Sequence, residues 1–129
     1  IVSDSAYADV TPILQREIPA RSHLPGAFTP GILEAAQAMY GIDYYADRPA
    51  ASVARIAPRP ILFIHGAADT YVPPDNMTTL AQAAQQAPDA HVQTWLVPNA
   101  THAQAFHVAG NAYVSRVVAF FAANLTPAS

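Results

Sequence analysis

Pro60-Ile61-Leu62-Phe63-Ile64-His65-Gly66-Ala67-Ala68-Asp69-Thr70-Tyr71-Val72-Pro73 is the stretch on which the fold turns. Ile61 to Ile64 form a short apolar run with no polar alternation, bounded by Pro60 and by His65-Gly66. Such a run reads as a strand buried on both faces, as strands of parallel sheets are. Helical spacing follows over residues 75–87, with Asp75 as N-cap, Met77, Leu80, Ala81 and Ala84 on one face, and Pro88-Asp89 as the stop. His91 to Val97 is a second strand, with Val92, Trp95 and Val97 apolar. After a loop at 98–109, residues 110–125 are expected to form a last helix with Val114, Val118, Phe121 and Leu125 in register.

Upstream, Ile1-Val2-Ser3-Asp4 reads as the end of a buried strand, so the chain is expected to be a piece of something longer. Residues 5–18 are predicted helical, capped by Asp4 or Ser5 and kinked or split at Pro12, with Tyr7, Val10, Leu14 and Ile18 at helical spacing. A Pro-, Gly- and Ser-rich loop over 19–29 leads to Thr29-Pro30, a cap with proline at the first helical position. That helix holds Leu33, Ala36 and Tyr40 on one face and ends at Gly41. Residues 41–59 are expected to be irregular, with a helical turn near 51–55.

The alternation of strands and helices implies an α/β fold of three layers, a parallel sheet flanked by helices and joined by right-handed crossovers. In such sheets the reactive groups gather beyond the carboxyl ends of the strands. Three places qualify: Ser3–Ser5, His65–Val72 and Pro98–His107. Asp69 lies in the second and His102 in the third, each a few residues past a strand. A carboxylate bonded to one imidazole nitrogen fixes the tautomer, and the other nitrogen can then take a proton from a nucleophile.

A strand ending in H-G-x-x-D-x-x-V-P (His65 to Pro73), then a helix, a strand and a short loop with His102, resembles the last third of α/β-hydrolases. The resemblance is close over residues 58–125. Upstream, Val2-Ser3-Asp4-Ser5 and a following helix are similar to the segment after the sixth strand in cap-less bacterial serine aminopeptidases and acyl-peptidase-like hydrolases. The resemblance implies that these are the last three strands and following helices of the fold. Residues 1–59 would hold the end of the sixth strand, helices and a possible lid segment within 19–59; residues 60–129 would hold the acid- and histidine-bearing strands. It further implies Asp69 as catalytic acid and His102 as catalytic base. The family's chain order puts a G-x-S-x-G nucleophile elbow before both, and none occurs here. Serine and oxyanion hole are therefore expected N-terminal to Ile1, and the chain by itself is expected to be inactive.

Other residues compete. His107 is a rival base, five residues on from His102. His65 reads as a satisfied structural histidine, and His23 and His91 as surface residues. Asp4 is an alternative acid, though such an aspartate more often caps the next helix. Ser3 and Ser5 lack the glycines of an elbow. Tyr71, Val72 and Phe106 flank the acid and base and are candidate substrate-pocket residues, or ordinary packing.

The 129 residues suit one domain; 52% are hydrophobic and 12% charged, a globular composition. A net charge of −3 with no basic cluster gives no sign of nucleic acid. There is no cysteine, which excludes disulfides, thiolate metal sites and a cysteine nucleophile. No histidine pair has the spacing of a zinc motif; neither metal nor cofactor is implied. No apolar run is long enough to span a membrane, and no signal peptide pattern opens the chain; the compartment is open, with the cytoplasm as default. The expected function is a serine hydrolase acting on a small-molecule or peptide acyl substrate through ester, thioester or amide cleavage. The alternative is a non-catalytic α/β binding or assembly module. An exposed apolar strand at the N-terminus would be a pairing liability, so either the N-terminal half of the same protein or a second copy, giving a homodimer, is expected to cover it.

Overall fold

The computed structural model describes residues 1–125. Strand β1 (Val2–Asp4) leads through a bend to helix α1 (Thr11–Ser22), and α2 (Thr29–Tyr40) follows a 3₁₀ turn at Gly26–Phe28. Three further 3₁₀ turns between Tyr44 and Ile56 lead into β2 (Ile61–Gly66). Then come α3 (Asp75–Ala84), β3 (Val92–Val97), α4 (Ala105–Ala109) and α5 (Asn111–Asn124).

The sheet has the order β1-β2-β3 and is parallel throughout. Val2 pairs with Leu62 and Asp4 with Ile64 on one side of β2; Ile61 pairs with Val92 and Gly66 with Val97 on the other. Every residue of β2 is buried, as its unbroken apolar run requires. Side chains alternate across a strand, so β2 serves two cores. Ile61 and Phe63 pack with Met77, Leu80, Ala81 and Ala84 of α3 and with Val53. Leu62 and Ile64 pack with Val97, Ala100, Ala105 and Phe120 on the opposite face. The layers are therefore α3 with the 3₁₀ turns, the sheet, and α4 with α5.

Several elements differ from the sequence expectations. Residues 5–10 are not helical, and α1 begins at Thr11 and runs through Pro19 to Ser22. Proline in the first turn costs no hydrogen bond, so Pro12 opens this helix instead of splitting it. Asp4 and Ser5 cap nothing: Val10 occupies the N-cap position. Of the loop expected over 19–29, all but residues 23–25 is helix or 3₁₀ turn. Helix α2 ends as expected, with Gly41 in the left-handed conformation as C-cap, but Phe28 holds the N-cap position and Thr29 is already helical. Leu33 is buried but Tyr40 is 67% exposed. In α3 the four expected residues are buried, though Pro74 holds the N-cap position and the helix stops at Ala84. The last helix, α5, lies within the expected bounds, but the loop expected over 98–109 holds a short helix, α4, which ends at Gly110, whose φ is +51°. Phe120, with Tyr113 and Val117, faces the sheet, whereas Val114, Val118, Phe121 and Leu125 are exposed.

Candidate active site

Beyond the carboxyl end of β2 the chain turns sharply. Asp69 N–H donates to Gly66 O at 3.2 Å, and Ala68 N–H donates to Ala100 O at 2.9 Å, tying this turn to the loop after β3. The two loops touch at Gly66. A Cβ there would lie 2.7 Å from the Thr101 carbonyl oxygen and closer still to that of Ala100. Glycine is thus required for the β3–α4 loop to cross the end of β2.

That crossing carries His102 onto Asp69. His102 Nδ1 donates to Asp69 Oδ2 at 2.9 Å. Both neighbours of the shared proton are thereby assigned: a carboxylate only accepts, so Nδ1 carries the hydrogen and Nε2 is left as the basic nitrogen. The Asp69 side chain is wholly buried, while that of His102 is 35% exposed. Asp69 Oδ1 accepts the backbone N–H groups of Tyr71 and Val72, both at 2.9 Å. The Asp69 carboxylate is therefore held rigidly inside and the His102 ring is presented at the surface. This polarity suits a proton acceptor oriented by a buried carboxylate.

The loop that carries His102 is bent hard. Asn99 and Ala103 have φ of +62° and +55°, a left-handed conformation that costs a non-glycine residue roughly 1 kcal/mol. Ser5 holds it in place. Its Oγ accepts the Ala103 N–H at 3.1 Å and donates to Asp4 Oδ1 at 2.9 Å. Asp4 Oδ2 in turn accepts the Tyr113 hydroxyl at 2.9 Å. Burial, and then the bond to the Asp4 carboxylate, push the Tyr113 phenol up to about 12. Ser5 as an anchor of the histidine loop escaped the sequence reading, because nothing in its type or spacing distinguishes an anchor from a bend residue.

The remaining candidates fall as follows. The Tyr71 ring lies against His102 at a centroid distance of 4.9 Å, and the Arg16 guanidinium donates to Tyr71 O at 2.5 Å. Val72 is buried and lines, with Tyr71 and His102, an open cavity of about 330 Å³ whose other walls are mostly apolar residues of 6–14. Phe106 is 49% exposed, stacks edge-on against Tyr113, and is absent from that lining. The structure does not bring Asp4 to the histidine; its carboxylate is taken by Ser5 and Tyr113. His107 is exposed on α4, and His23 and His91 are exposed as well. His65 is 1% exposed and bonded through Nε2 to Val72 O at 2.8 Å. Among the described residues no three His, Asp or Glu side chains form a group able to hold a metal ion, and no helix is long and apolar enough to cross a membrane.

A parallel sheet between helical layers, with these loops at its carboxyl edge, defines an α/β-hydrolase fold. Residues 16–128 match the prolyl oligopeptidase family, and the chain belongs to that family. Among solved structures it is similar to the Mycobacterium tuberculosis H37Rv protein BpoC, described as a candidate non-heme bromoperoxidase, with a TM-score of 0.59 and 19% identity. The alignment covers 97% of this chain and 58% of that one. A search of curated protein sequences gave no significant match.

Proposed function

We propose that this chain supplies the acid and the base of a Ser-His-Asp triad in a serine hydrolase cleaving ester, thioester or amide bonds. The observation that carries the reading is the 2.9 Å bond from His102 Nδ1 to the buried Asp69 carboxylate. A serine outside these residues attacks the acyl carbonyl while His102 Nε2 takes its proton. His102 then gives that proton to the leaving group, and water releases the acyl-enzyme by the same route. Asp69 keeps the ring in the Nδ1–H tautomer and stabilises the imidazolium that forms. The apolar cavity beside His102, walled by Tyr71 and Val72, suits the apolar part of a small-molecule or peptide acyl substrate. Within segment 19–59, only α2, which packs mainly on α1 and the Gly26–Phe28 turn, is assigned to a small lid; the 3₁₀ turns over 49–56 belong to the core layer against α3.

Among the described residues one edge of β1 is unpaired, and a further strand belongs there, from the rest of the protein or from a second copy. A monodisperse monomer of these 129 residues in sedimentation analysis would count against such pairing. The catalytic assignment is tested on the full-length protein with a short-chain nitrophenyl ester. His102→Ala is expected to lower kcat by on the order of 10⁴-fold or more, and Asp69→Asn by about 10⁴-fold through the wrong tautomer. Unchanged turnover in both variants would sink the assignment.

A further inference from the structure

We infer that His65 is a positioning residue for the acid–base pair, locking the turn that presents the Asp69 carboxylate to His102. The inference rests on the hydrolase reading above. His65 is the next-to-last residue of β2 and its side chain is 1% exposed. A buried imidazole must find hydrogen-bond partners. Its Nε2 lies 2.8 Å from Val72 O and 3.2 Å from Asp69 Oδ2. Both are pure acceptors, so Nε2 carries the hydrogen. That hydrogen is directed at the Val72 carbonyl, with Oδ2 the longer, flanking acceptor.

The consequence is a closed circuit. His65 fixes Val72 through its carbonyl, and Val72 fixes Asp69 by donating its own N–H to Oδ1 at 2.9 Å. Oδ2 lies between two imidazoles, 2.9 Å from His102 Nδ1 and 3.2 Å from His65 Nε2. Rotation of the carboxylate is thus opposed at both oxygens. Without His65, Val72 O loses its buried donor and Oδ2 loses a flanking N–H dipole. The turn over 66–72 is then free to relax, and the carboxylate can swing off Nδ1. A displacement near 1 Å between catalytic groups costs about 10²-fold in rate. A purely structural histidine would affect stability and leave the state of His102 alone.

The position of the donor separates these roles. The side-chain amide of glutamine reaches close to where His65 Nε2 sits, that of asparagine does not, and leucine fills space without donating. In the full-length protein, His65→Leu, His65→Gln and His65→Asn are compared by steady-state ester hydrolysis and by nitrogen-15 NMR of the His102 ring. His65→Leu is expected to lower kcat about ten- to hundredfold with little change in KM, and His65→Asn to resemble it. His65→Gln is expected to regain most of the loss. The His102 ring is expected to show one Nδ1–H tautomer in the parent and a tautomer mixture in the leucine and asparagine variants. Parental kcat and an unmixed tautomer in His65→Leu would overturn the inference, as would equal kcat in the glutamine and asparagine variants. Should His65→Leu fail to fold, the glutamine–asparagine pair still decides. Failure of the hydrolase reading looks different: His102→Ala leaves turnover unchanged, and the tautomer measurement still judges His65.

Discussion

Gly66 and Asp69 act at opposite ends of one turn, and each depends on a different neighbour. Asp69 needs donors for its carboxylate; Gly66 needs only emptiness, because carbonyls of Ala100 and Thr101 occupy the space a methyl would take. Gly66→Ala must push the β3–α4 loop off the end of β2. It is expected to lower stability by about 1–3 kcal/mol, and to weaken the His102–Asp69 bond, read in the downfield proton NMR signal of Nδ1–H. Tyr113 gives a prediction in pH. Its phenol is raised from 10.0 to about 12, by burial and then by the Asp4 carboxylate, so the folded state favours the neutral form. The stability this contributes is complete below the unfolded phenol's pKa and is lost as pH rises through the folded one. Thermal stability is therefore expected to fall between pH 10 and about 12, and Tyr113→Phe to flatten that fall while costing about 1 kcal/mol at neutral pH. At this scale the meeting of Asp69 with His102 was legible, because each follows a strand of the same parallel sheet. Ser5 and its bond to Ala103 were not, since they join residues 98 positions apart.

Element identity follows from pattern where the pattern has one solution. The run Ile61–Ile64 has no polar side, so β2 can only be central, and the α3 stripe Met77, Leu80, Ala81, Ala84 leaves one face to bury. Helix α5 is different. It is apolar nearly all round, so Val114, Val118 and Phe121 make as good a stripe as Tyr113, Val117 and Phe120. The choice falls to how Gly110 and α4 aim the helix at the sheet, which no local period encodes. Phe120 is 4% exposed and Phe121 37%. Phe120→Ala is expected to cost about 3–5 kcal/mol and Phe121→Ala far less, as chemical denaturation would show; equal costs would mean that the helix face is misassigned. Helix α1 illustrates the same limit at an end. Pro12 marked a break in the pattern, yet proline is compatible with a first turn, and the bend over 5–10 is set by contacts such as Ala8 N–H to Asn76 Oδ1 at 3.0 Å.

At the scale of the whole molecule, stability is expected to be graded outward from β2. That strand is buried along its length and paired on both sides, whereas β1 contributes three residues. Native-state hydrogen exchange is expected to be slowest in β2, intermediate in β3 and fastest in β1; faster exchange in β2 than in β3 would contradict the two-core arrangement. The three layers, the parallel sheet and the two loops that hold Asp69 and His102 were readable from the chain alone. Those depend on apolar period and on residues placed just after strands, which are local properties of the chain. Only the tertiary structure decided which nitrogen of His102 meets Asp69, which face of α5 is buried, that Ser5 anchors the histidine loop and that His65 touches the carboxylate. The histidine loop depends on packing at the crossing over Gly66, the α5 face on how Gly110 and α4 aim the helix, and the His65 contact on how the turn over 66–72 folds back; none of these is a local period of the chain.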